Sequence, residues 1–211
     1  MEVTSRAIRV LSVDDHPLLR EGLASVIQGE PDMELVGEAT SGEEAVRCFR
    51  QHLPDVTLMD IQMPGISGIE AMIAIRNEYP GSRFIVLTTY EGDVQALRAI
   101  KAGASGYLLK NMLRKDLLRA IREVHSGKRF IPSVIANNVV AHLADDSLSE
   151  REIAVLQSVA AGMPNKLIAD ELAVSEATIK GHMRNIMSKL GANDRTHAVM
   201  IALKRGIILN S

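Results

Sequence analysis

The sequence predicts an α/β chain, a doubly wound (βα)5 unit followed by a small all-α unit of four helices. Three observations lead there. Short β-branched apolar runs alternate with helical stripes as far as about residue 127, the alternation stops over residues 128–147, and only helical periodicity follows. Strands are expected over residues 8–13, 33–37, 55–59, 83–88 and 106–109. Between the first two, Leu18, Leu19, Gly22, Leu23, Val26 and Ile27 make an apolar stripe at helical spacing, and similar helices fit residues 42–53, 68–79, 93–102 and 113–125.

Residues 128–147 carry Pro132, mixed small and polar residues and the Asp145-Asp146 pair, and are expected to form a linker with a helical part over residues 134–143. The organisation is therefore one domain at residues 1–127, a linker at 128–147 and a second domain at 148–211, with helices over residues 149–161, 165–172, 175–190 and 195–204. Ser149 and Glu152 have the spacing of a capping box at the first of these.

The composition supports two small cores: 46% of the 211 residues are hydrophobic and 24% charged. Aromatics are only 3% with no Trp, so packing falls to Leu, Ile, Val, Ala and the ten Met. The single cysteine, Cys48, excludes an intrachain disulfide, and its helical setting predicts a buried, inert thiol. No run approaches the roughly 18 apolar residues of a membrane span. The N-terminus also lacks the order of a signal peptide. A cytoplasmic protein with no membrane partner is expected.

In an open parallel sheet, ligands bind beyond the carboxyl ends of the strands, near the point where strand order reverses. Asp14 and Asp15 follow strand 1, Asp60 follows strand 3, Thr88 ends strand 4 and Lys110 follows strand 5. Three carboxylates, a hydroxyl and an ammonium thus meet on one edge. Gathered carboxylates repel one another unless a cation neutralises them, and an all-oxygen site with room for water suits Mg²⁺. Lys110 and Thr88 would bind the oxygens of a phosphoryl group placed on one carboxylate, which makes the chemistry phosphoryl transfer to aspartate. Taken singly, each residue has a plainer reading: Asp15 before His16-Pro17 caps a helix, Lys110 is a surface lysine and Thr88 forms a turn. Their coincidence at successive strand ends favours the pocket.

These residues resemble the receiver domains of two-component response regulators over about residues 6–126. The resemblance rests on Asp14-Asp15, on Asp60 within Leu58-Met59-Asp60-Ile61-Gln62-Met63-Pro64-Gly65, on Thr88, and on Lys110 within Gly106-Tyr107-Leu108-Leu109-Lys110. It implies a flavodoxin-like receiver in which Asp60 takes phosphate from a phosphohistidine on a partner kinase. It also implies Mg²⁺ held by Asp15, Asp60 and the Gln62 carbonyl, with Asp14 acting through water, and Thr88 and Tyr107 as a switch pair whose ring turns inward. Gln62 and Tyr90 are among the groups that would set the lifetime of the phosphoaspartate. Asn111 departs from the pattern, since many receivers have proline there.

The C-terminal segment is more basic, with eight Lys+Arg against six Asp+Glu over residues 148–211, compared with 14 against 18 over residues 1–127. Residues 177–193 hold Lys180, Arg184 and Lys189 and no carboxylate. In the helix capped by Ser175, Ile179, Met183, Ile186, Met187 and Leu190 share one side, while Lys180, Gly181, Arg184, Asn185 and Ser188 share the other. Two helices joined by a short turn, the second with a basic polar face, make a helix-turn-helix that enters the major groove. Arg184 is assigned to guanine, and Lys166, Thr178, Lys180 and Lys189 to phosphates. His182 lies beside the apolar face, where a structural hydrogen bond competes with base reading.

This segment resembles the LuxR-type helix-turn-helix of the NarL/FixJ response regulators over about residues 147–208. Leu148-Ser149-Glu150-Arg151-Glu152, Asn165-Lys166-Leu167-Ile168-Ala169, Thr178-Ile179-Lys180-Gly181-His182 and Asn185-Ile186-Met187-Ser188-Lys189-Leu190 carry the likeness. Leu167 replaces a usual glutamate, and Gly181 stands where a larger residue often touches bases. The resemblance implies that the last helix mediates dimerisation. The expected function is phosphorylation-controlled transcription regulation by a homodimer on double-stranded DNA, not enzymatic turnover. Two alternatives are a DNA-binding regulator independent of phosphate, and a phosphotransfer enzyme with a protein-interaction tail.

Overall fold

The structure, a computed structural model, describes residues 6–89, 93–133, 135–136 and 148–208. Within these, β1 (Ile8–Val13), β2 (Met33–Ala39), β3 (Val56–Asp60), β4 (Phe84–Thr88) and β5 (Gly106–Leu109) form a parallel sheet in the order β2-β1-β3-β4-β5. The order reverses between β1 and β3, which are neighbours in space although β2 lies between them in the chain. Every residue of β3, β4 and β5 is buried, as expected of strands covered by helices on both faces.

The helices are α1 (Pro17–Gln28), α2 (Gly42–His52), α3 (Gly68–Glu78), α4 (Asp93–Lys101) and α5 (Leu113–His125). Leu23 and Ile27 of α1, with Leu117, Ala120, Ile121 and Val124 of α5, pack on Val10, Leu58, Ile85, Leu87 and Leu108 of the sheet. A buried branched side chain of this kind contributes about 1.5–3 kcal/mol, so this face anchors the strands whose ends carry the acidic residues. The chain leaving α5 returns to the sheet: Phe130 bridges to Gly106, accepts a hydrogen bond from the Tyr107 N–H at 2.8 Å, and donates one to the Ser105 carbonyl at 3.0 Å. The Arg119 guanidinium lies 5.5 Å above the Phe130 ring.

After these come α6 (Glu150–Ala160), α7 (Asn165–Glu171), α8 (Glu176–Leu190) and α9 (Arg195–Lys204). Their own core contains Val155, Leu156, Ile168, Ile179, Met183, Ile186, Ala198 and Ala202. The chain divides into two compact units, Met1–Thr89 with Ala96–Ser133 and Tyr90–Gln95 with Val134–Ser211. The capping box of α6 is complete, and the Ser175 side chain accepts from the Thr178 N–H at the start of α8.

Several expectations change. Strand β2 runs on to Ala39, and Asp60 is the last residue of β3 rather than the residue after it, because it still pairs with Leu87. Asp15 does not cap α1: the N-cap position is His16, with no side-chain cap, and Pro17 opens the helix without needing a donor partner. Cys48 is half-buried rather than buried, with its Sγ 3.6 Å from the Glu38 carbonyl, and burial raises its thiol pKa. Of the expected linker helix, Val134 and residues 137–143 lie outside the described residues, as does Tyr90.

Two glycines make opposite demands. A Cβ on Gly68, the first residue of α3, would stand 1.8 Å from the Asp60 carbonyl oxygen, whereas one on Gly181 in α8 meets nothing within 4 Å. Gly68→Ala is therefore expected to lower stability by about 1–3 kcal/mol or more through forced displacement of α3 from the end of β3. Gly181→Ala is expected to raise it by up to about 1 kcal/mol. Denaturant unfolding of the two variants checks both signs.

Candidate phosphoacceptor site and nucleic-acid interface

The acidic residues meet where β1, β3 and β5 end. Asp14 is 0% exposed and Asp60 2%, and the Lys110 ammonium lies 2.7 Å from an oxygen of each. The other oxygen of Asp60 accepts the Gln62 N–H at 3.2 Å. Asp14 is held from three directions: its second oxygen takes the His16 N–H at 2.9 Å, its backbone carbonyl takes Arg20 at 2.7 Å, and Lys110 holds the first. One ligand atom each from Asp14, Asp15, His16 and Asp60 lies within 4.8 Å of the others.

Burial pushes the Asp60 carboxyl above its ordinary pKa, with the Asp14 charge adding to the effect and Lys110 opposing it. Burial works against the Lys110 ammonium, but its contacts with Asp14 and Asp60 outweigh that and raise its pKa. The arrangement is one cation shared by two buried anions, with Asp15 on the rim.

The structure thus brings together Asp14, Asp15, Asp60, Gln62 and Lys110. Thr88 ends β4, one residue past the partner of Asp60, and is 2% exposed. Tyr107 is fully buried, so the ring expected to turn inward is already inside; burial raises its phenol pKa, opposed by a hydrogen bond with Thr88. His16 is the residue that the sequence reading passed over. Its Nδ1 lies 2.7 Å from Asp15 and 3.1 Å from Asp14, and its place directly after the acidic pair was the available signal.

In the second unit, α7 and α8 are joined by a turn in which Ala173 takes a left-handed φ of 52° and the Val174 N–H reaches the Ala169 carbonyl at 2.9 Å. Arg151 donates to the Leu172 carbonyl at 2.8 Å, fixing the same turn from α6. On α8, Ile179, Met183 and Ile186 are buried while Lys180, Arg184, Asn185 and Ser188 are exposed. Lys166 on α7 is exposed as well, and neither it nor Arg184 has an ion-pair partner among the described residues. Lys180 pairs with Glu176 at 2.9 Å on the surface, an arrangement that contributes little and is easily exchanged for another anion. The Thr178 and Ser175 hydroxyls are hydrogen-bonded at 2.8 Å.

Two assignments on α8 change. His182 is half-buried and makes no side-chain hydrogen bond among the described residues, so the structural bond weighed for it is absent there. Lys189 is half-buried against Glu152 at 2.9 Å rather than projecting with the exposed basic residues. A partner 37 residues away could not be read from helical periodicity.

Comparison with known proteins agrees with both halves. Residues 10–122 match the family model for the response regulator receiver domain, and residues 146–202 match that for bacterial regulatory proteins of the luxR family. The chain is 39% identical to the transcriptional regulatory protein LiaR of Bacillus subtilis (strain 168), over 95% of this chain and 99% of that protein. The crystal structure of the response regulator ChrA of a heme-sensing two-component system is similar, with a TM-score of 0.57, 37% identity and coverage of 96% of this chain and 99% of that one. A structure of the response regulator RcsB in complex with DNA aligns with a TM-score of 0.68 and 25% identity, over 94% of this chain and 99% of that one. The chain belongs to the two-component response regulators of the NarL/LuxR type, transcriptional regulators in which a receiver domain is joined to a LuxR-type DNA-binding domain.

Proposed function

We propose that Asp60 is the phosphoacceptor and that its phosphorylation by a sensor histidine kinase controls binding of the α8 face to promoter DNA as a homodimer. The observation that carries this is Lys110 held 2.7 Å from both Asp14 and Asp60 on a buried sheet edge. A cation fixed there is placed for the charge that phosphoryl transfer brings. In the transfer, an Asp60 oxygen attacks phosphorus in line and the P–N bond of the phosphohistidine breaks. The imidazole leaves with its electron pair, and Lys110 and Thr88 bind phosphoryl oxygens.

The donor set fits Mg²⁺: three carboxylates converge, with His16 the lone nitrogen beside them. Asp15, Asp60 and the Gln62 carbonyl would hold it directly and Asp14 through water, and it would neutralise oxygens of the transferring group. The chain's own residues do the rest by position, assisting phosphorylation and dephosphorylation of Asp60 without acting on other substrates.

The route outward runs through Thr88 and Tyr107. Tyr107 shares a hydrogen bond with Thr88 through its side chain and with Phe130 through its backbone N–H. Phe130 begins the segment that leads away from the receiver, so a shift of Thr88 toward the phosphate is felt where the linker departs. The domains are receiver at residues 1–127, linker at 128–147 and DNA-binding domain at 148–211. Arg184 reads bases, with Asn185, Gly181 and His182 beside it in the groove. Lys166, Thr178 and Lys180 meet phosphates.

Three outcomes test this reading. Because burial raises the Asp60 pKa, folding favours its protonated form; the charged carboxylate lowers stability as pH rises from its ordinary value through the raised one. Asp60→Asn is therefore expected to unfold at a higher temperature than wild type at pH 7 without metal. Mg²⁺ at a hundred times its dissociation constant is expected to add about 2.7 kcal/mol to wild type, a gain that Asp60→Asn and Asp15→Asn largely lose. With Mg²⁺ and a small acyl phosphate, wild type is expected to dimerise in sedimentation and bind genomic DNA fragments more tightly at fixed salt, while Asp60→Asn does neither. Equal DNA binding by both proteins would favour regulation independent of phosphate.

A further inference from the structure

The chain uses the same capping box twice, and the difference between the two is informative. At α3, Glu70 bonds the N–H and hydroxyl of Ser67 at 2.7 Å each and remains exposed. At α6, Glu152 makes the same pair of bonds to Ser149, at 2.8 and 3.0 Å, but is only 4% exposed and also takes the Lys189 ammonium at 2.9 Å. Capping a helix needs neither the burial nor the lysine, as Glu70 demonstrates.

What the added contact does is join the first turn of α6 to the last turn of α8. Ser175 fixes the other end of α8, so the helix that displays Lys180, Arg184, Asn185 and Ser188 is held at both ends. Burial disfavours the charge on Glu152, but the Ser149 and Lys189 bonds outweigh it and keep its carboxyl below the ordinary pKa. Unlike the exposed pair of Lys180 with Glu176, this contact has a nearly dry partner and two further bonds holding that partner in place.

We infer that Lys189 is a positioning residue for DNA recognition: its ion pair with Glu152 sets the angle at which α8 presents its base-reading face, and it does not neutralise a phosphate. The inference rests on α8 being the DNA-reading helix. It replaces the phosphate role that sequence position suggests for Lys189.

Glu152→Gln separates the two roles, because glutamine serves a capping box while removing the charge. The test uses the full-length protein with Mg²⁺ and a small acyl phosphate, at a temperature where circular dichroism shows every variant folded. Affinity is measured, across a salt series, for a genomic fragment selected by wild type and for a random-sequence duplex of equal length. Positioning predicts that Glu152→Gln and Lys189→Met each lower the preference for the selected fragment by about tenfold and that the double variant is no worse than either. It also predicts that Lys189→Arg retains most of the preference, and that binding to the random duplex and the salt slope stay at wild-type values.

A phosphate contact predicts the reverse pattern. Lys189→Met would lower the salt slope by about 0.9 on both duplexes, and Glu152→Gln, by releasing the ammonium, would bind at least as tightly as wild type; either result overturns the inference. If wild type selects no fragment at all, the DNA-reading role of α8 fails and this inference fails with it. That outcome is distinct from one in which wild type selects and Glu152→Gln selects equally well.

Discussion

The Lys110 ammonium, 2.7 Å from both Asp14 and Asp60, is the contact around which the receiver is organised. At an effective dielectric of about 20, each such contact carries roughly 6 kcal/mol of Coulomb attraction. Against this stand the desolvation of each buried ion, several kcal/mol in itself, and the repulsion between the two carboxylates. The terms are of similar size, so the site is near balance. The fold serves this point: the reversal of strand order sets β1 beside β3, β5 leads directly into Lys110, and Gly68 lets the start of α3 close on the Asp60 carbonyl.

Much of this was legible in the sequence because it is encoded locally. Among the described residues, short β-branched apolar runs and period-3.6 stripes located the five strands of the sheet and the nine α-helices within a few residues, and the chemistry stood at strand ends, where a parallel sheet puts it. The details that were missed depend on the surroundings. Asp60 belongs to β3 because Leu87 pairs with it. His16 takes the N-cap position in place of Asp15 because its backbone N–H is drawn to the Asp14 carboxylate. The return of Phe130 to β5 and the reach of Lys189 to Glu152 join residues far apart in the chain, and no window of sequence carries them.

The two halves solve a common problem in different ways. In the receiver, a few charged groups must be held in an environment that makes them responsive, and burial supplies it. In the second unit, Arg184, Asn185 and Lys180 are exposed on α8, and the helix that carries them is held from beneath and behind. There Ile179, Met183 and Ile186 fix its rotation, Ser175 its start and the Glu152–Lys189 pair its end. The open surface at Gly181 leaves room for the backbone to approach a ligand closely.

Chemical mapping of the phosphorylated residue tests the central claim most directly. Protein treated with Mg²⁺ and a small acyl phosphate is reduced with borohydride, which converts an aspartyl phosphate to homoserine, and its peptides are then sequenced by mass spectrometry. Homoserine at position 60 and nowhere else is the expected result. Homoserine at position 14 or 15, or none in wild type under conditions where Mg²⁺ binds, would contradict the assignment of Asp60 as the acceptor.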